Sequence, residues 1–315
     1  FNFTEQSSIS SGSINFSWSF GDGSTSSNAN PSHSYNSYGN YDAELIVTSN
    51  KGCKDTVSKG MTVNDMPEVA FGYTTDTAQC LEGNSFNFRN NSSIGQGSLS
   101  YSWSFGDGQS ASSANPVHDY STTGNYNVQL VATSGAGCQA SVTRTVVVNA
   151  VPQAAFTVND STQCMNNNAF NFTDQSSASG SISHSWSFGD GGASVRQDPN
   201  YNFADTGSYE VELVITNGEG CKDTADKQVR VNPVPEVDFT ANAVCSDDSV
   251  EFMNQTQFDG DNANLAYTWP LGNNDTSNAV SPDYQYDQFG SYSVQLIAED
   301  TTTGCMDMTQ QMVEV

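Results

Sequence analysis

Positive charge is scarce in this chain: 9 Lys plus Arg stand against 35 Asp plus Glu in 315 residues, a formal charge of −26. That balance repels polyanions through the same Coulomb term that draws a basic protein to them, so nucleic acid and membrane insertion are not expected among the partners. It suits a medium rich in salt or divalent cations, where screening acts over a few ångström, though plain solubility also accounts for it. Histidine is rarer still, with three residues. His33 and His118 lie in Asn-Pro-x-His segments and His184 stands just before Trp186, none of them in a nucleophile context. With no paired carboxylates at catalytic spacing either, the chain reads as not an enzyme and as needing no cofactor. No run approaches the roughly 18 apolar residues that a membrane helix needs. No leader is visible, and because Phe1 begins within a repeat, a leader would lie outside this sequence.

What is present is repetition. Ser17-Trp18-Ser19-Phe20-Gly21-Asp22-Gly23 returns as Ser102 to Gly108 and as Ser185 to Gly191, and in altered form as Thr268-Trp269-Pro270-Leu271-Gly272-Asn273-Asn274. The Trp-to-Trp steps are 85, 83 and 83 residues. A repeat of that length is a small domain rather than a solenoid turn. The period divides the chain into 1–65, 66–149, 150–232 and 233–315, with the first domain lacking its opening. Pro interrupts the chain at each boundary, at Pro67, Pro152, Pro233 and Pro235. Such short linkers are stiff, which predicts neighbouring domains in contact and a semi-rigid rod.

Within a repeat, helix signals are nearly absent, and short alternating runs bounded by Gly, Asn, Asp and Ser predict an all-β sandwich. Tyr126, Val128, Leu130 and Ala132 alternate with Asn125, Asn127 and Gln129, which predicts one dry and one wet face. The same stripe is Tyr41 to Val47, Tyr209 to Ile215 and Tyr292 to Ala298 in the other repeats. Tryptophans can serve as sugar-stacking platforms when exposed. Here the period-2 pairing of Trp18, Trp103, Trp186 and Trp269 with Phe20, Phe105, Phe188 and Leu271 predicts a buried core instead.

Trp103 to Gly108, then Asn115-Pro116-Val117-His118-Asp119-Tyr120, then Gly124-Asn125-Tyr126-Asn127-Val128-Gln129-Leu130, resembles the signature of the polycystic-kidney-disease (PKD) domain, and the likeness extends over the whole chain. The resemblance implies four tandem immunoglobulin-like sandwiches in an extracellular protein. Departures occur at Ser19, Ser104 and Ser187, where the family has an Asp, and at Asn273, where repeat four loses the second Asp. Glycines taking positive φ, with an Asp capping nearby amides, account for the Phe-Gly-Asp-Gly segment as a turn rather than a ligand site. The early and late cysteines resemble versions of the domain in secreted and surface proteins of the Bacteroidota, where tandem copies form stalks, adhesins and fibres or act as spacers in secreted enzymes.

Cys80, Cys164 and Cys245 recur early, and Cys53, Cys138, Cys221 and Cys305 late, which reads as a disulfide framework in an oxidising compartment. Zinc spacing is missing. Pairing within each repeat joins Cys80 to Cys138, Cys164 to Cys221 and Cys245 to Cys305, and puts the partner of Cys53 outside the chain. Sandwich topology speaks for the alternative, since it sets the two cysteines at opposite ends, beyond the roughly 7 Å between Cα atoms that a disulfide spans. Head-to-tail domains would instead permit Cys80 with Cys221 and Cys164 with Cys305, and both maps stand open.

Further candidates are few. Asp259, Asp261, Asp247 and Asp248 concentrate oxygen atoms for calcium in loops, without the twelve-residue calcium-loop pattern; solvated acidic loops are the plainer reading. Asp-Ser/Thr followed by a small apolar residue or Thr resembles the O-glycosylation acceptor of exported Bacteroidota proteins. It marks Thr56, Thr77, Ser161, Thr224, Ser249 and Thr301, and inheritance of an Asp-Thr turn by the repeats accounts for it equally. Together these readings imply a structural or adhesive segment of a long secreted surface protein, working through neighbouring domains of the same chain, lateral self-assembly or a surface ligand. The alternative is a carbohydrate- or protein-binding array beside a secreted hydrolase, with Tyr284, Tyr286 and Phe289 as its natural patch.

Overall fold

The computed structural model describes residues 1–242 and 248–315. The chain divides into two compact units, Phe1–Asn149 and Ala150–Val315. Among the described residues all long regular elements are strands, with one short 3-10 turn at Asn262–Asn264.

In the second repeat, Phe71–Tyr73, Phe86–Asn90 and Val117–His118 form a three-stranded sheet. A five-stranded sheet faces it, in the order Ala78–Cys80, Gln139–Asn149, Gly124–Ser134, Leu99–Ser104, Ser110–Ala111. The long hairpin at its centre pairs Gly124 with Val148 at one end and Thr133 with Gln139 at the other. Along it Val128, Leu130 and Ala132 are buried while Asn125, Asn127 and Gln129 face water, as period-2 alternation requires. The third repeat copies both sheets, with Phe156–Val158, Phe170–Asp174 and Asn200–Tyr201 opposite a five-stranded sheet centred on Gly207–Asn217 and Lys222–Asn232. The fourth keeps the three-stranded sheet and a four-stranded one that ends on Met306–Glu314.

Each tryptophan is the centre of a core. Phe71 meets Trp103 edge-on at 5.0 Å, Phe156 meets Trp186 at 4.9 Å and Phe239 meets Trp269 at 5.1 Å. Their indole N–H groups donate to the carbonyls of Ser113, Arg196 and Ala279 at 3.0, 2.8 and 2.9 Å, so no polar atom of the ring is left bare. The first repeat holds one four-stranded sheet, Thr25–Ser26, Ile14–Ser19, Gly39–Ser49 and Lys54–Val63, and an isolated bridge from Asn2 to Ser32. Trp18 there packs on Phe3, its N–H has no partner, and a groove lined by Trp18, Leu45, Val57 and Met61 opens beside it.

The turn after each tryptophan strand has a steric reason for its first glycine. Gly106 has φ +86°, and a Cβ there would lie 2.9 Å from the carbonyl oxygen of Asn127 on the facing strand. Any side chain would push the turn off the sheet.

A parallel pairing was not foreseen from the sequence. Ala78–Cys80 runs alongside Val147–Asn149, and Thr162–Cys164 alongside Arg230–Asn232. The early cysteine therefore sits beside the end of its own domain's last strand, where the chain leaves for the next domain. Cys245 and Asp247 lie outside the described residues.

Candidate functional site

Two places gather chemistry: a covalent joint and a repeated polar turn. The joint lies in the second unit. Cys164 ends the short strand paired with Arg230–Asn232, and Cys305 lies at the tip of the hairpin Ser291–Asp300 and Met306–Glu314. Their sulfurs are bonded, with the Cα atoms 5.5 Å apart. Cys305 is fully buried, its carbonyl accepts from the Asp300 N–H at 2.9 Å, and next to it the Asn166 side-chain amide donates to the Met306 carbonyl at 3.2 Å.

This corrects the within-domain map. Cys164 is taken by Cys305, which rules out Cys164 with Cys221 and Cys245 with Cys305, and Cys138 is a free thiol, which rules out Cys80 with Cys138. The reason is the parallel strand, which carries the early cysteine to the exit of its domain while the late cysteine stays on a hairpin tip. Cys80 and Cys221 are each disulfide-bonded. Cys53 is free and exposed.

The polar turn is built from the Gly-Asp-Gly segment and the aromatic strand after it. Asp107 accepts from the Gln109 N–H at 2.9 Å through one oxygen and meets His118 Nε2 at 2.7 Å through the other. The imidazole stacks on Phe105 at 4.0 Å, and the Tyr120 hydroxyl donates to the Phe105 carbonyl at 2.8 Å. In the first domain Asp22, His33, Phe20 and Tyr35 stand in the same relation. In the third, Tyr201 replaces the histidine, stacks on Phe188 at 3.9 Å and donates to Asp190 at 2.7 Å. In the fourth, Asn273 and Asp275 share the Tyr284 hydroxyl.

Burial pushes the Asp107 carboxyl up, but the Gln109 amide and His118 outweigh it and leave the group below its ordinary value. The Ser24 amide and then His33 lower Asp22. Burial first, then the hydrogen bond to Asp190, raises Tyr201 to about 12. Each carboxylate is thus spent on its own turn and its own aromatic strand, an arrangement that ties loop to sheet.

Asparagine adds a buried clamp that sequence reasoning missed. The Asn84 side chain donates to the Leu81 and Tyr120 carbonyls and accepts from the Tyr120 N–H, and Asn168 does the same for Met165 and Phe203. The available signal was an Asn four residues after the early cysteine in both repeats. His184 is a second omission: it meets the nearly buried Asp174 at 2.8 Å.

The remaining candidates scatter. Asp261 spends a carboxylate oxygen capping the 3-10 turn through Ala263, Asp248 and Asp259 are exposed, and among the described residues no three His, Cys, Asp or Glu side chains gather as a metal would require. Thr56, Thr77, Ser161, Thr224, Ser249 and Thr301 are all exposed. Two of the aspartates before them serve local turns, Asp160 accepting from the Thr162 N–H and Asp300 from the Thr302 N–H and the Thr303 hydroxyl, while Asp223 accepts from the Ala154 N–H, 69 residues earlier in the chain. Tyr286 is buried and Tyr284 packs on the core, which leaves Phe289 alone on the surface of that patch.

Facing sheets, a central tryptophan and the hairpin with its returning strand define tandem immunoglobulin-like sandwiches. A model of the PKD domain matches residues 1–63, 64–150, 149–232 and 230–315, and the chain belongs to that family. It is similar to Collagenase ColA of Bacillus cereus, 38% identical over 60 residues that make 19% of this chain and 6% of that protein. It is also similar to Microbial collagenase of Vibrio alginolyticus, 40% identical over 53 residues, 17% of this chain and again 6% of the relative. The chain therefore spans a small fraction of the length of these relatives. Among solved structures, the PKD1 domain of Vibrio anguillarum Epp is 36% identical, covering 27% of this chain and 96% of that domain with a TM-score of 0.24. The PKD1 domain of the Vibrio cholerae metalloprotease PrtV is 32% identical, covering 26% and 96% with the same score. No helix among the described residues is long and apolar enough to cross a membrane.

Proposed function

We propose that this chain is a structural segment of a secreted surface protein, a stalk in which four domains in series hold a distant part of the molecule away from its anchor. The observation that carries this reading is the Cys164–Cys305 bond, which spends a covalent link on joining two domains rather than on building a site. Disulfides of this kind persist outside the cell, where thiols are oxidised. The buried tryptophans and the turns whose carboxylates Asp107 and Asp190 bond within their own domains agree with it. Electron microscopy of the purified chain tests it: the proposal expects an extended particle four domains long, and a collapsed globule overturns it.

A second reading is an accessory array of a secreted enzyme, favoured by the likeness to the two collagenases. Retention of the chain on insoluble collagen would establish that reading, and free passage would remove it. We also propose that sugar decorates some of the six exposed Asp-Ser/Thr sites, which on a stalk would add bulk and protection. An intact mass above that of the bare polypeptide, from native material, is the expected result; equality removes the modification.

A further inference from the structure

The Cys164–Cys305 bond closes a loop of 141 residues. Most of domains 3 and 4 lies inside it: the long hairpin of domain 3, the first strand Ser291–Asp300 of the long hairpin of domain 4, both tryptophans and the linker through Pro233 and Pro235. Outside it, within the unit Ala150–Val315, remain the first strand Phe156–Val158, the approach to Cys164, and the last strand Met306–Glu314.

Tension on a chain follows its shortest covalent path. Applied to the two ends of this unit, it runs to Cys164, crosses the sulfurs and leaves from Cys305, so the enclosed backbone carries none of it. We propose that this disulfide is an extension-limiting clasp, which passes load applied at the ends of this unit around the residues between Cys164 and Cys305 and keeps the unit from lengthening by that segment even when its domains open. A within-domain bond such as Cys164 with Cys221 would do less, because the linker and the whole fourth domain would stay in the load path.

The surroundings suit that role. Cys164 is held in parallel register beside Asn232, so force on it shears a sheet edge rather than peeling a hairpin. Phe156, on the loaded approach, is anchored in the core against Trp186. Cys305 is buried, and the Asn166 to Met306 hydrogen bond braces the joint beside the sulfurs. Without the clasp each residue released under load would add about 3.3–3.6 Å to the tether. With it, that slack is unavailable until the disulfide is reduced by two equivalents of an external thiol, which give up two electrons and two protons, leave as their own disulfide, and return Cys164 and Cys305 to thiols.

The clasp rests on the stalk reading for its purpose, but the two fail separately: microscopy measures the stalk, and extension under force measures the clasp. The test is single-molecule stretching of the full chain with peptide-tag handles at Val151 and after Val315, comparing the wild type with the Cys164→Ser/Cys305→Ser variant. The variant is expected to reach a final length greater by the 141 enclosed residues, about 470–510 Å. Wild type treated with a reducing thiol is expected to gain the same length. Equal final lengths in wild type and variant, without reductant, overturn the proposal. Because the fully stretched length does not depend on whether the variant folds, and reduced wild type gives a second reading, poor folding of the variant leaves the test intact.

Discussion

Domains 1 and 2 meet through hydrogen bonds, whereas domains 3 and 4 meet through a covalent bond. In the first unit Asp65, in the linker, accepts from the Gly95 N–H at 2.7 Å, and a cleft of about 310 Å³ lined by Tyr38, Asn64, Ile94 and Gly135 opens at the joint. In the second unit Cys164 and Cys305 close the corresponding place. The hairpin tips themselves are alike. Cys53 and Cys138 donate their N–H to Ser49 and Ser134 hydroxyls at 3.1 Å, and Cys221 donates its own to Asn217 at 2.9 Å. What differs is the partner. An early cysteine must stand at the exit of the preceding domain, and residues 1–52 contain no cysteine at all. Cys305 is thus one half of a joint between domains, and its oxidation state reports on the neighbouring domain rather than on its own.

The comparison breaks most visibly if the clasp is removed. Closing a loop of this size lowers the chain entropy of the unfolded state by an amount worth about 5 kcal/mol in the simple model, less where strain or residual structure intervenes. Denaturant unfolding of the Cys164→Ser/Cys305→Ser variant should therefore lose several kcal/mol in the second unit while the Cys53→Ser/Cys138→Ser variant stays near wild type. Comparable losses in both would dissolve the contrast.

Core truncation sharpens the same contrast at the level of single domains. Trp186 is 1% exposed, faces Phe156 and has its N–H satisfied, so Trp186→Ala should cost about 3–5 kcal/mol. Trp18 is 7% exposed beside an open groove with its N–H unpaired, and Trp18→Ala should cost clearly less. Equal losses would mean that the first domain's core is as complete as the third's.

The smallest effect is expected in alkali. Burial, followed by a neighbouring acceptor or tyrosine, raises Tyr201 and Tyr286 of the second unit to about 12. A tyrosine whose folded value exceeds its unfolded one contributes stability that is complete below about pH 10 and is lost as pH rises toward 12. Ultraviolet titration should show these phenols ionising after the exposed tyrosines and before Tyr120, which burial raises further still, together with loss of structure. Ionisation of all tyrosines near pH 10 in the folded chain would contradict the packing described.

Much of the fold was legible because it is written in local periodicity. The Tyr126 to Ala132 stripe, the Trp-x-Phe pairs and the glycine turns each need only their own neighbours to be read, and they stand as expected. The pairing of cysteines was not, since it depends on a three-residue parallel strand, Thr162–Cys164, too short to carry a pattern of its own. Topology had already counted against the within-domain map, because opposite ends of a sandwich lie too far apart, and the head-to-tail alternative had named Cys164 with Cys305, the bond that is found; what the sequence could not do was choose between the two maps. Asn84 and Asn168 were hidden for another reason: in a chain rich in Asn, a buried amide looks like any loop residue until its carbonyl partners are seen.

The most direct measurement is a peptide map of the native chain, digested without reduction after alkylation of free thiols. A fragment pair joined through Cys164 and Cys305, with Cys53 and Cys138 alkylated, is the predicted result. Cys164 joined to Cys221 within the third domain would contradict the covalent joint and, with it, the load path across two domains.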